Sequence, residues 1–127
     1  NFWPIFCATQ TADHSAHRFS GQNHSWSLLV LPYVNAEPHI GHTQEFVQAD
    51  CLARYYRLMG HEVFFNTGTD EHGQKIAQKA DELGQSRQDY VNQYASTFEK
   101  LREALNLSYD NFIRTTSDEH KAAAQAI

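Results

Sequence analysis

Leu28-Leu29-Val30-Leu31-Pro32-Tyr33-Val34-Asn35-Ala36-Glu37-Pro38-His39-Ile40-Gly41-His42 is the stretch on which the fold turns. Its first four residues are wholly apolar, the pattern of a parallel strand buried on both faces. Pro32 and Pro38 bracket a loop, and proline favours a helix start. A helix is therefore expected from His39–Gly41 to Met59, with Gly60 as its left-handed cap. Val63-Phe64-Phe65 reads as a second apolar strand, and Gly68-Thr69-Asp70-Glu71-His72-Gly73 as the loop after it. Strand, helix, strand is the unit of an α/β sheet.

Further along, a helix is expected from Gln74 to Leu83, stopped by Gly84. Ser86-Arg87-Gln88-Asp89 resembles a capping box with Asp in place of Glu. The next helix aligns Tyr90, Tyr94, Phe98, Leu101 and Leu105 as one apolar stripe. Asn111-Phe112-Ile113-Arg114 is a third strand, and Thr116 or Ser117 caps a last helix. The alternation predicts a doubly wound parallel sheet, whose ligands sit outside the carboxyl ends of the strands. Loops 32–42 and 66–73 both follow strands and should open on that same edge.

Residues 1–27 show no sustained periodicity. They hold one acid, Asp13, and one base, Arg18. They are read as an unassigned, disordered leader, leaving 28–127 as the globular part. The chain has 127 residues, 10 Lys+Arg, 15 Asp+Glu and a formal charge of −5, with 41 % hydrophobic residues. These values suit a globular domain and exclude a low-complexity chain. The acidic balance argues against this stretch alone gripping a nucleic-acid backbone. The longest aliphatic run, Leu28–Leu31, is far short of the roughly 20 residues of a spanning helix, so no membrane segment is expected. Cys7 and Cys51 read as free thiols.

Two segments could carry chemistry. His39 and His42, one turn apart at a helix start, could donate hydrogen bonds to phosphate oxygens beside the positive end of the helix. Gly41 would let a flat group such as a nucleobase approach the backbone. The other readings of the pair are a partial metal site, with Glu37, Glu45 and Asp50 nearby but without ligand spacing, or incidental surface histidines. In the second segment, Asp70 could hold an ammonium group. Its alternative is a turn in which Asp70 and Glu71 cap the following helix.

Together and in this order, these segments resemble the class I aminoacyl-tRNA synthetases, most closely the methionyl-tRNA synthetase family. The resemblance rests on Leu31-Pro32-Tyr33-Val34-Asn35, Pro38-His39-Ile40-Gly41-His42, Ala49-Asp50, Ala53-Arg54-Tyr55 and Gly60-His61-Glu62-Val63. Thr67-Gly68-Thr69-Asp70-Glu71-His72-Gly73-Gln74-Lys75-Ile76 and Phe112-Ile113-Arg114-Thr115-Thr116 continue it over about residues 28–127. It implies an incomplete Rossmann-like sheet, the first half of the class I nucleotide-binding fold.

The resemblance also implies a reaction, ATP-dependent activation of methionine to methionyl-adenylate and transfer to tRNA. His39 and His42 are then the catalytic signature histidines. ATP is bound by His39, Gly41, His42 and Glu45, and methionine by Leu31, Tyr33 and Asp70. Mg²⁺ arrives with ATP, zinc belongs to a part of the parent outside this stretch, and no metal ligand is assigned here. The second signature, Lys-Met-Ser-Lys-Ser, is absent, as are the regions expected to bind tRNA. The chain is therefore expected to be a fragment, inactive and poorly soluble alone. The expected compartment is cytoplasmic, with mitochondrial as the alternative. Other class I synthetases (leucyl, isoleucyl, valyl, cysteinyl) and a non-catalytic nucleotide-binding half-domain are the competing functions.

Overall fold

The computed structural model describes residues 6–11, as backbone, and residues 25–126. Strand β1 (Phe6–Thr11) is followed by β2 (Ser25–Val30), helix α1 (Ile40–Leu58) and β3 (Glu62–Thr69). Helices α2 (Gln74–Glu82) and α3 (Arg87–Ala104), strand β4 (Asn111–Arg114) and helix α4 (Asp118–Gln125) complete the order. The sheet runs β1-β2-β3-β4. β2, β3 and β4 are parallel, and β1 lies antiparallel on the outer edge of β2.

The expected helices stand where their caps place them. Ser86 accepts from Asp89 N at the start of α3, and Ser117 accepts from His120 N at the start of α4. Gly60 and Gly84, with φ of 82° and 65°, follow the ends of α1 and α2. The strands differ from expectation. β3 continues through Gly68 and Thr69, so the loop proper begins at Asp70. β2 starts at Ser25, because Ser25–Ser27 pair with Glu62–Phe64 on one edge and with Thr9–Thr11 on the other.

The reading of residues 1–27 as a disordered leader is thereby corrected at residues 6–11 and 25–27. The edge of β2 offers unpaired N–H and C=O groups that a strand satisfies whatever its side chains. The rest of that stretch lies outside the described residues.

One helical layer covers the sheet among the described residues. Leu28, Val30 and Phe65 of the sheet pack with Phe46, Ala49 and Ala53 of α1, Phe98 of α3 and Leu107 and Tyr109 beyond it. Ile76 and Ala80 of α2 join Tyr90 and Val91 of α3 in a second cluster. The expectation of strands buried on both faces is corrected. Leu28 and Val30 are buried while Leu29 is only half-buried, and Phe64 is 51 % exposed beside fully buried Phe65. Successive side chains leave opposite faces of a strand, and helices cover only one of them.

Polar anchors fix α1 to the segment joining α3 to β4. Asp50, buried, accepts from Arg54 Nε, Ser108 N and Ser108 Oγ, each at 2.6 Å. Arg57 donates to Asp110 Oδ2 at 2.8 Å, and the same oxygen accepts from Phe65 N at 2.7 Å. α1 is thus held at the height that sets its first turn beside the strand ends.

Candidate active site at the strand ends

The parallel strands β2 and β3 bring both loops to one edge, as the alternation requires. Beyond their last ladder residues, Asp70 N donates to Pro32 O at 2.8 Å and Val34 N to Asp70 O at 3.0 Å. This bridge pairs Tyr33 with Asp70. Leu31, Tyr33 and Asp70, separated by nearly forty positions, are thereby neighbours on one edge, each half-buried.

The helix start is built from the two histidines themselves. His39 is the N-cap of α1, with extended backbone, and its Nδ1 accepts from Gly41 N at 3.1 Å. His42 Nδ1 accepts in turn from His39 N at 3.2 Å. The imidazoles thus take the places that Ser and Glu hold in an ordinary capping box. Their rings stack with centroids 3.9 Å apart, and His42 meets the edge of Phe98 at 5.1 Å. With both Nδ1 atoms accepting, each neutral ring carries its proton on Nε2. Each ring therefore presents one N–H donor away from the helix end.

Burial, and then the neighbouring His39, lower the pKa of His42 below 6.5. His42 is therefore neutral at pH 7 and acts as a donor rather than a fixed cation. Burial raises the Glu45 carboxyl, with His39 pulling against it, which places Glu45 within the field of the pair. At Gly41 a Cβ would stand 2.9 Å from Cε1 of His39. The space freed there is bounded by the capping imidazole.

The alternatives from sequence are resolved in part. Asp70 and Glu71 do not cap α2, since its N-cap is Gly73 with no side-chain hydrogen bond. Asp50, a possible companion to a metal-binding His pair, is taken up by Arg54 and Ser108. No group of three or more His, Cys, Asp or Glu among the described residues is arranged to hold a metal ion. No helix there is long and apolar enough to cross a membrane. Cys51 is free and exposed.

Asp70 Oδ1 accepts from His72 N at 3.3 Å, and the loop then turns at Gly73. Gly73 has φ of 140°, and a Cβ there would lie 2.3 Å from the Tyr33 hydroxyl. Both the dihedral and the close approach restrict this position to glycine. Among the described residues no hydrogen bond joins the histidine pair to Asp70; they share the strand-end edge, not a contact.

The sequence offers Glu71 only a capping role and Arg114 only a place in a strand, whereas the structure pairs them. Glu71 is buried and bound by Arg114, Thr69 and Thr116 behind Asp70. Their available signal was a charged residue at the carboxyl end of each of two neighbouring apolar strands.

Parallel strands joined through a helix, with the loops of interest at their carboxyl ends, define part of a Rossmann-like α/β sheet. The family model for class I tRNA synthetases (M) matches residues 29–127, and the chain belongs to that family. Its similar proteins are methionine–tRNA ligases. That of Rhizobium meliloti is 48 % identical over 98 residues, which are 77 % of this chain and 19 % of that protein. That of Listeria monocytogenes is 50 % identical over 106 residues, 84 % of this chain and 16 % of that protein. The structure of Mycobacterium tuberculosis methionyl-tRNA synthetase in complex with methionyl-adenylate aligns with a TM-score of 0.70 and 39 % identity. That alignment covers 78 % of this chain and 20 % of the other. The chain thus spans a fifth or less of the relatives named here and presents the Rossmann-like synthetase fold in part.

Proposed function

We propose that this chain supplies one wall of a site at which a methionine–tRNA ligase activates methionine with ATP. Residues 28–127 are assigned to the N-terminal half of its catalytic domain. In this reaction the methionine carboxylate attacks the α-phosphorus of ATP, the bond to pyrophosphate breaks, and methionyl-adenylate forms. A ribose hydroxyl of tRNA then attacks the acyl carbon and releases AMP. Such in-line chemistry depends on positioning and on stabilising charge as it builds.

The observation that carries the reading is the mutual capping of His39 and His42, which fixes two Nε2–H donors at a helix N-terminus. In this assignment they donate to phosphate oxygens, most strongly in the transition state. Gly41 lies under the adenine and Glu45 beside the adenosine. Asp70 accepts from the substrate ammonium, and Leu31 and Tyr33 line the thioether, which suits an apolar, polarizable side chain. Mg²⁺ is assigned to the ATP phosphates, whose oxygens suit a small hard cation that keeps several waters. Zinc and the tRNA contacts are assigned to other parts of the parent ligase, and the compartment to the cytoplasm, with mitochondria as the alternative.

Methionine-dependent exchange of pyrophosphate into ATP tests this. In the ligase that carries this chain, His39→Ala or His42→Ala should each slow exchange about 100-fold or more, as for loss of a transition-state donor. The chain alone should give no exchange. Exchange driven by another amino acid, or untouched by either substitution, overturns the assignment.

A further inference from the structure

Behind Asp70, Glu71 is anchored more fully than a turn requires. Its side chain is 0 % exposed and forms a two-pronged ion pair with Arg114, at 2.6 and 3.1 Å. Glu71 Oε1 also accepts from Thr69 Oγ1 at 2.7 Å, and Oε2 from the Thr116 hydroxyl. Its backbone N donates to Thr115 Oγ1 at 2.8 Å, while His72 Nε2 meets Thr115 O at 3.2 Å. Arg114 donates onward to Asn92 on α3 at 2.7 Å. Thr115 N closes the frame on Thr69 O at 3.2 Å.

These contacts tie the residues on both sides of Asp70 to the end of β4 and to α3. On its other side, Asp70 is held by Pro32 O and Val34 N. Three strand ends thus fix the peptide of one residue whose own carboxylate meets only the His72 amide among the described residues. Burying a carboxylate is costly, and a bidentate guanidinium with added hydroxyl donors is the arrangement that offsets it. A hydrophobic residue at position 71 would fill the same space without fixing a direction.

We propose that Glu71, clamped by Arg114, is a positioning residue that aims Asp70 at the ammonium group of the amino-acid substrate. This rests on the assignment of Asp70 to that group. The clamp acts on the amine alone, so it affects ligands that carry one and spares those that do not.

The test compares methionine with des-amino methionine as ligands of the ligase that carries this chain, by equilibrium titration, with melting recorded for every variant. The wild-type ligase should prefer methionine, and Asp70→Asn should abolish the preference. Glu71→Gln, if folded, should weaken methionine at least about tenfold, since misplacement by about 1 Å can cost about 100-fold. It should leave des-amino methionine unchanged. Arg114→Lys keeps the charge but loses the fork, and serves the same comparison should Glu71→Gln melt early. A folded variant that keeps the preference, or that loses both ligands equally, overturns the clamp's role. A wild-type ligase that binds both ligands without any preference overturns the Asp70 assignment itself, and the clamp with it.

Discussion

His42 shows how a side chain assigned to the proposed chemistry is also part of the helix cap. Its Nδ1 closes the capping box on His39 N, and the residue, 7 % exposed, sets its ring against Phe98. The cap needs the neutral ring, because Nδ1 must accept. A proton on Nδ1 would turn the acceptor of the cap into a donor facing another donor. Burial and the His39 ring accordingly hold its pKa below 6.5. The unfolded chain therefore binds more protons than the folded one between the folded value and 6.5. Stability is full above 6.5 and falls as pH drops through the folded pKa. An NMR titration of the His42 ring should give a midpoint below that of a histidine in the denatured chain, and denaturant midpoints should fall over that window. A His42→Gln variant should flatten that part of the profile. A His42 midpoint at or above 6.5 would refute this account.

At the scale of elements, α1 is docked through Asp50 as much as through its apolar face. The carboxylate is desolvated, which raises its pKa, but hydrogen bonds from Ser108 and Arg54 outweigh this and hold it below 3.8. Removing it leaves the Ser108 N–H and hydroxyl without their acceptor. Asp50→Ala should cost about 2–4 kcal/mol, the range for breaking a buried polar network, with an unchanged denaturant slope. Because the folded pKa is depressed, this contribution is present above 3.8 and is lost only as pH falls through the folded value. The two acid-sensitive windows, His42 below 6.5 and Asp50 below 3.8, should therefore separate in a pH series of melts.

The same element shows what was legible in the sequence. The span of α1 followed from Pro38, the two histidines and Gly60, which are local signals. The docking role of Asp50 is not legible locally, because its partner Ser108 lies fifty-eight positions away in sequence. The pairing of Glu71 with Arg114 is hidden for the same reason, since it exists only once β3 and β4 are adjacent. Ser25-Trp26-Ser27 was missed as strand because its signal is backbone pairing on both edges, not apolar continuity.

Across the described residues, the helices gather on one face of the sheet and leave the other uncovered. That open face carries half-buried Leu29, Phe64 at 51 % exposure, and the Asn66–Asn111 side-chain pair. A separate apolar surface lies at the end of α1 on the covered side of the sheet, where Tyr55, Leu58 and the cap residue Met59 are 55 %, 86 % and 60 % exposed. Contiguous exposed apolar surface drives association, and a charge of −5 opposes it. Salt separates the two effects. Screening shortens the reach of the repulsion to about 8 Å at physiological ionic strength and leaves apolar attraction intact. Sedimentation velocity should therefore show self-association that grows with concentration and with added salt. Phe64→Thr keeps a strand-forming residue while removing the largest exposed ring of the sheet. It should shift the distribution toward monomer and change the unfolding free energy by no more than about 0.5 kcal/mol, as for a surface site. Association that weakens with salt would place its origin in ion pairs, and a monomer at every concentration would mean that the open face is too small to drive contact.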